Sequence, residues 1–171
     1  DTLHIFFNHW PSQWQGALQS RPKRIKAAQI LRSQIDSLFS INPETSILAA
    51  GDFNDSPHSE CLIKYLKTEN PVDSIRFDKI YNLSAHWKKL SYGTYKYRGV
   101  WEIFDQFMVS GSLLVRGKGL GTSPSNAQIM MVPFLSKEDE KYTGYKPFPT
   151  FSGYWYKGGF SDHLPVILDL Q

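Results

Sequence analysis

Two short segments carry residue types that acid–base and metal chemistry use. Gly51-Asp52-Phe53-Asn54 follows an apolar run, and Ser161-Asp162-His163 precedes another. Such runs predict strands whose ends deliver side chains to the rim of a sheet. There, Asp52 can accept a proton from water, and Asn54 can hold water or an oxyanion through its amide. Asp and Asn next to glycine also form Asx turns, so this segment alone supports both interpretations.

The second segment contains the three residue types of a serine-hydrolase triad. Neighbours in an extended chain face opposite sides, however, so Ser161, Asp162 and His163 cannot form a relay among themselves. The sequence also has no Gly-x-Ser-x-Gly nucleophile elbow. We therefore set serine-hydrolase chemistry aside.

Further polar residues stand near predicted strands, and each has an ordinary structural explanation. His9 lies on the apolar side of its strand, where a lone histidine is more often a core residue. Asp105 could be a strand-end carboxylate paired with a lysine. An aromatic cluster with one arginine could stack bases and clamp phosphate, or could belong to a strand packed on the core; it comprises Tyr92, Tyr95, Tyr97 and Arg98.

Taken in chain order, four segments resemble the endonuclease/exonuclease/phosphatase family, which includes deoxyribonuclease I, abasic-site endonucleases and neutral sphingomyelinases. They are Phe7-Asn8-His9-Trp10, Gly51–Asn54, Ile103–Phe107 and Ser161–His163. In the third segment Gln106 follows Asp105, whereas the family usually has tyrosine or arginine after this aspartate. The family's substrates are phosphate esters of several kinds, and this departure leaves the substrate open.

The resemblance implies a magnesium-dependent hydrolase of phosphate esters, with manganese as a substitute, in which an activated water attacks phosphorus. It implies Asp52 as the base, Asn54 as a positioning amide, and Asp162 as the metal ligand, assisted by Asp52 and Asn54. His163 and His9 would contact the phosphate, with Asp105 orienting His163. Asn8 and Arg98 are the predicted substrate-binding residues. These roles are physically reasonable, since carboxylates suit Mg²⁺ and imidazolium donates to an oxyanion.

The implied fold is an α+β four-layer sandwich, with two mostly antiparallel sheets face to face and helices outside. The family's metal-binding glutamate lies before the Asn-His strand, where this chain begins. We therefore expect residues 1–171 to be the C-terminal portion of one catalytic domain, inactive alone. One sheet face would then be bare, so a homo-oligomer is a further prediction.

The apolar pattern predicts where the elements lie. Strands are expected at 3–9, 46–50, 103–109 and 164–170, together in one sheet, with 113–115 as a hairpin partner of the third. Ser20 and Pro22 mark the start of a helix that Asn42-Pro43 ends, and Ser56-Pro57 opens a second helix. Residues 117–126 are rich in glycine and serine and read as a loop.

Composition sets broad limits on class and partners. The 171 residues have a net charge of +3, are 41% hydrophobic and include a single cysteine, so a packed domain without an intrachain disulfide is expected. The mild positive charge suits an anionic partner such as nucleic acid, a phospholipid headgroup or a small phosphodiester. No apolar run is long enough to predict a transmembrane helix. The localisation of the protein stays open, and its sequence looks most like exported or cell-envelope members of the family. The alternative to an enzyme is a non-catalytic module that binds a phosphate ligand or a partner.

Overall fold

A computed structural model describes residues 2–14, 16–71, 74–115 and 119–171. Within these ranges the long helix is α1 (Ala17–Ile41). The strands are β1 (Leu3–His9), β2 (Ser46–Asp52), β3 (Thr68–Glu69), β4 (Ile80–Asn82), β5 (Tyr95–Tyr97), β6 (Val100–Glu102), β7 (Asp105–Ser110), β8 (Ala127–Ile129), β9 (Ser136–Glu138), β10 (Tyr145–Pro147), β11 (Phe151–Ser152), β12 (Trp155–Tyr156) and β13 (Val166–Leu168). A π-helical segment spans Cys61–Leu66, and 3-10 turns span Ala85–Lys89, Gly111–Leu113, Pro124–Asn126 and Pro133–Leu135. The predicted α+β class is confirmed. No helix in the described ranges is long and apolar enough to cross a membrane.

The central sheet orders its five strands β1-β2-β7-β4-β3. Strands β1 and β2 run parallel with His9 opposite Asp52, and β7 runs antiparallel to β2 with Asp105 also opposite Asp52. The register therefore brings three polar side chains from three adjacent strands to one edge of the sheet.

Strand β2 lies between two hydrophobic cores. Its residues Ile47 and Ala49 belong to the core that contains the buried face of α1. Leu48 and Ala50, which point the other way, belong to a second core that includes residues of β7, β8 and the segment before β13. A strand buried on both faces needs a continuous apolar sequence, which explains the run that precedes Gly51.

The predictions for β1 and α1 hold for the most part. β1 has the predicted bounds, and the expected helix face packs on the core, since Ala28, Leu31 and Ile35 are buried. The helix ends at Ile41 as predicted but begins at Ala17, because Ser20 lies inside it and donates its hydroxyl to the Gly16 carbonyl at 2.8 Å.

Three other predictions are wrong. The segment after Ser56-Pro57 first forms a turn, in which Ser59 N–H donates to Ser56, and becomes helical only at Cys61. Residues 113–115 form no hairpin strand, since the chain turns at Gly111–Leu113 and the Ser112 hydroxyl donates to the Thr45 carbonyl.

The last strand is also shorter than predicted and lies outside the central sheet. β13 pairs antiparallel with β8, and Pro165, which has no N–H to donate, accepts a hydrogen bond from Met130 N–H at 2.8 Å. In the predicted glycine-rich loop, Gly117 and Lys118 lie outside the described residues.

Edge strand β1 leaves part of one face uncovered. Ile5 and Phe7 are 47% and 84% exposed, whereas Leu48 and Ala50, their partners in register on β2, are buried. The predicted homo-oligomer through this face stays a prediction.

A buried charge cluster attaches the β9–β10 hairpin to β5. Lys96 and Lys146 both contact Asp139, at 3.2 Å each, and the Lys96 and Asp139 side chains are nearly inaccessible to solvent. Burial by itself would raise the pKa of Asp139, but hydrogen bonds from Lys146 and Lys96 lower it to about 2. The position of this hairpin therefore depends on charge pairing as well as on apolar packing.

A substitution at Gly51 tests the close contact between β1 and β2. Its φ is 131°, and a Cβ there would lie 2.0 Å from the Asn8 carbonyl oxygen. We expect Gly51→Ala to lower the free energy of unfolding by about 3 kcal/mol or more, since backbone strain and a backbone clash add together. Denaturant unfolding measures the loss. Gly144→Ala is the matched control, because Gly144 also has a positive φ but has nothing within 4 Å of the added carbon. Equal losses at both positions would contradict the clash.

Candidate active site

Three strand ends place His9, Asp52 and Asp105 side by side. The His9 Nε2 lies 3.7 Å from Asp52 Oδ2, and the His9 side chain is 80% exposed. Asp52 lies opposite both neighbours in the ladder, which makes it the central residue of the group. The structure therefore brings these three predicted site residues together at one edge of the sheet.

The loop after β2 is shaped by Asp52 and Asn54. Asn54 has a positive φ of 49° and is buried. Its N–H donates to Asp52 Oδ1 at 2.8 Å, which is the Asx turn that the sequence offered as an alternative. Its amide Nδ2 donates to Asp52 Oδ2 and to the Trp10 carbonyl, both at 3.0 Å. With the nitrogen engaged, the amide oxygen is the group left to accept from a ligand or to bind a cation.

Asp105 and His163 form a carboxylate–imidazole pair. The Nδ1 atom of His163 lies 2.6 Å from Asp105 Oδ2, so Nε2 is the ring nitrogen that can face a substrate. The Thr94 hydroxyl accepts hydrogen bonds from the N–H groups of Phe104 and Asp105, and this fixes the start of β7. The structure therefore provides the orienting contact that the resemblance implied for Asp105.

The local charges shift two pKa values. Burial would lower the pKa of His163, but the hydrogen bond and charge of Asp105, with added effects of Asp52 and Asp162, raise it above its usual value. Burial raises the pKa of Asp52, and Asp105 adds to that effect, while the Asn54 N–H opposes it. His163 thus favours the protonated form, and Asp52 becomes a stronger proton acceptor.

Tyr95 contacts His163 directly, which the sequence analysis did not predict. The two rings have centroids 4.8 Å apart, and the other side of the Tyr95 ring system is held by Phe104, stacked at 5.4 Å. A backbone bridge also joins Tyr95 to His163. The sequence placed Tyr95 in an aromatic cluster with two possible roles, and only knowledge of this long-range pairing could have chosen between them.

The remaining predicted site residues are Asn8, Arg98 and Asp162, and among the described residues no hydrogen bond or ion pair joins their side chains to the side chains of this group. Asn8 accepts from Trp10 Nε1 at 3.1 Å and donates to the Phe6 carbonyl, so it braces the end of β1. Arg98 is exposed at the β5–β6 turn, with its guanidinium 5.2 Å from the Tyr97 ring centroid. Asp162 is exposed beside His163 and affects its pKa through charge.

Two buried side chains support the site from behind, and the sequence analysis missed both roles. Gln106 donates to the backbone carbonyls of Asp55 and Ile103, at 2.7 and 3.0 Å, so the residue that departs from the family pattern holds the loop after β2. Arg24, near the start of α1, pairs with Asp55 at 3.0 Å. The long-range partners that reveal these roles cannot be identified from residue type alone.

The side chains of Asp52, Asp105 and His163 are close enough to bind one metal ion together, since one possible ligand atom from each lies within 4.8 Å of the others. Asp105 and His163 are already hydrogen-bonded to each other, with 2.6 Å between Oδ2 and Nδ1. A hard cation such as Mg²⁺ prefers oxygen ligands, and Asp52, Asn54 and Asp162 offer them. The donor chemistry of this rim therefore fits a divalent cation.

The model of the Endonuclease/Exonuclease/phosphatase family matches residues 1–171, and the chain belongs to that family. A comparison of the sequence with curated proteins finds no match.

Two solved structures share the fold. A mannosyl-6-phosphatase from Bacteroides thetaiotaomicron is 14% identical with a TM-score of 0.50, over 98% of this chain and 50% of that one. A mutant of Staphylococcus aureus beta toxin with bound magnesium ions is 18% identical with a TM-score of 0.50, over 97% and 52%. This chain therefore spans about half the length of the structures it matches, and at these identities the likeness concerns the fold.

The raised pKa of His163 should depend on Asp105. In the metal-free protein we expect Asp105→Asn to lower the His163 pKa, because burial remains while the opposing carboxylate is removed. NMR titration of the imidazole measures this. Protonation of His163 should stabilise the wild-type fold fully below the unfolded pKa near 6.5, and this contribution should fade as pH rises through the folded pKa. The control Asp36→Asn changes an exposed helix carboxylate and should leave the titration unchanged. A His163 pKa that is unchanged or raised in Asp105→Asn would overturn the assignment.

The Arg24–Asp55 pair should matter for stability. The two side chains are only 2% and 13% exposed, and Arg24 also donates to the Ser20 hydroxyl and the Ala17 carbonyl. Arg24→Met leaves a largely buried carboxylate unpaired, so we expect a loss of about 3 kcal/mol in unfolding free energy. Arg21→Met is the control, since its partner Glu60 and Arg21 itself are partly exposed and such pairs contribute about 1 kcal/mol or less. Similar losses for both variants, measured by denaturant unfolding, would argue against a special role for Arg24.

Proposed function

We propose that the full-length protein hydrolyses phosphate esters, as a phosphodiesterase, nuclease or phosphatase, by attack of an activated water on phosphorus. The observation that supports this best is the convergence of Asp52, the Asp105–His163 pair and His9 at one sheet edge. A proton acceptor and cationic hydrogen-bond donors within one small area are what such a reaction needs.

Asp52 is the proposed base. Its pKa is raised by burial, so it takes a proton from water more readily than an exposed aspartate does. The two hydrogen bonds from Asn54 hold the carboxylate in one orientation. Asn54 in turn presents its amide oxygen to water or to a bound cation.

His163 is the proposed donor to the phosphate. Its Nδ1 is held by Asp105, its pKa is raised, and its Nε2 is free to donate to a non-bridging oxygen or to the leaving group. His9 is exposed at the neighbouring strand end, where it can contact the same phosphate. Asn8 and Arg98 remain the proposed substrate-binding residues, with Asn8 acting through the strand end that it braces.

Mg²⁺, with Mn²⁺ as a substitute, is the proposed cofactor, and Asp162, Asp52 and Asn54 would hold it. When bound, the ion would offset charge on the phosphoryl oxygens. The related beta toxin mutant contains magnesium ions, which is consistent with this choice. We further propose that residues 1–171 are the C-terminal portion of a single catalytic domain and that a glutamate outside this chain completes the ligand set.

The test is a substrate panel on the full-length protein with Mg²⁺ or Mn²⁺, covering aryl phosphate mono- and diesters, DNA, RNA and phospholipids. Asp52→Asn and His163→Ala should each lower kcat on the order of 10²–10⁴-fold on the best substrate, and removal of the metal by a chelator should abolish turnover. Tm is measured for each variant to show that the fold is kept.

Asp36→Asn and His86→Ala are matched controls, since they change the same residue types at exposed positions on α1 and on the 3-10 turn after β4. Both should keep wild-type turnover. Half of wild-type activity in either site variant would refute the assigned roles. Tight phosphate-ligand binding with no turnover on any substrate would favour the non-catalytic module instead.

A further inference from the structure

Tyr95 is fixed beside His163 through both its ring and its backbone. Its ring packs on the His163 ring, with centroids 4.8 Å apart, and stacks on the Phe104 ring at 5.4 Å. An antiparallel bridge joins the backbones of Tyr95 and His163, and next to it the Leu164 N–H donates to the Thr94 carbonyl at 2.7 Å. The two side chains are therefore held together by two segments that lie far apart in the sequence.

The hydroxyl group of Tyr95 takes no part in this packing. A packed tyrosine usually has a hydrogen-bond partner, and the buried Tyr81 follows this rule, since its hydroxyl accepts from the Arg76 N–H at 2.9 Å. Tyr95 is half-buried, and no described residue forms a hydrogen bond with its hydroxyl. Ser59 Oγ is the one unpaired side-chain oxygen that is closed to solvent in the described ranges, so the Tyr95 oxygen is within reach of water. A phenylalanine would pack equally well, and the oxygen therefore calls for another explanation.

The Tyr95 hydroxyl lies close to the carboxylates of the candidate site. Burial raises the pKa of Tyr95, and the negative charges of Asp162 and Asp52 add to that effect, which places both carboxylates in its vicinity. A phenol is protonated at neutral pH even without such neighbours. Tyr95 therefore offers an O–H donor at this edge of the sheet, and not a base or a nucleophile.

A phosphoryl group has more oxygens than the His163 imidazole can serve alone. In phosphoryl transfer the negative charge is spread over three oxygens, and each of them can accept a hydrogen bond. His163 supplies one donor, its Nε2, because Nδ1 is engaged by Asp105. Since the Tyr95 and His163 rings are in contact, one phosphate can meet both side chains. A donor that is already fixed in place stabilises developing charge without the cost of reorganisation.

We propose that Tyr95 is a further catalytic residue, whose hydroxyl donates a hydrogen bond to a non-bridging oxygen of the phosphate that His163 contacts. This inference rests on the proposed hydrolysis of phosphate esters. The phenol keeps its proton throughout the reaction and forms no covalent bond, so its contribution is to offset negative charge. The competing interpretation is that Tyr95 only packs against His163, and the two interpretations differ in the effect of removing a single oxygen atom.

The experiment compares Tyr95→Phe with wild type in the full-length protein, with Mg²⁺ and the best substrate of the panel. The variant keeps the ring, so its Tm and the His163 pKa, measured by NMR titration without metal, should match wild type. Its kcat/KM should fall about 10²-fold, as when one positioned donor to an oxyanion is lost. Its affinity for inorganic phosphate, measured by calorimetry, should fall about tenfold, since a hydrogen bond to a charged group is removed.

Tyr65→Phe is the matched control, because Tyr65 is also a partly buried tyrosine but packs against the core that contains α1. It should keep the kcat/KM and the phosphate affinity of wild type. Tyr95→Leu is the second variant, since it removes the contact with the His163 ring as well as the hydroxyl. It should lower the Tm and change the His163 titration, which shows what a loss of packing looks like.

Wild-type kcat/KM in Tyr95→Phe, together with a loss in Tyr95→Leu, would overturn the proposal and leave Tyr95 as a packing residue. A fall in kcat/KM that comes with a shifted His163 pKa would also overturn it, because the effect would then act through His163. Wild-type protein that binds phosphate but hydrolyses no substrate would refute the proposed function. In that case the phosphate affinities still decide on the contact: a tenfold weaker Tyr95→Phe would support it, and equal affinities would refute it.

Discussion

The close approach of Gly51 to the backbone of Asn8 is the constraint on which the candidate site depends. Without a side chain at Gly51, β2 can stay in register with β1 up to Asp52, and the loop can then turn immediately. His9, Asp52 and Asp105 meet because three strands keep this register to their ends. The geometry of the candidate site is therefore a property of backbone pairing first and of side chains second.

Residues outside the group of His9, Asp52, Asp105 and His163 keep this edge in place. Arg24 ties the first turns of α1 to Asp55, and Gln106 ties the start of β7 to the same residue. Thr94 holds the backbone at Asp105, and Tyr95 packs on His163. Side chains at a candidate site need partners that fix their rotamers, and here those partners come from three separate parts of the chain.

Much of the site could be predicted from the sequence, because its residues stand at the ends of apolar runs whose length and flanking residues define strands. The bounds of β1 were predicted in this way, whereas the grouping of His9, Asp52, Asp105 and His163 was expected from the family resemblance of the segments that carry them. The final strand was placed in the wrong sheet, since alternation shows that Val166–Leu168 is a strand but does not show which strand pairs with it. The roles of Arg24, Gln106 and Tyr95 were missed for the same reason: each role depends on a partner far away in the chain.

Strand β2 packs against both hydrophobic cores, and this couples the two cores mechanically. Ile47 and Ala49 pack on one side while Leu48 and Ala50 pack on the other, so neither core can relax without moving the strand that ends at Asp52. Well-packed interiors are stiff and transmit small displacements. A substitution deep in either core is thus coupled to the position of the Asp52 carboxylate, so the stability of the fold and the alignment of the candidate site cannot evolve independently along this strand.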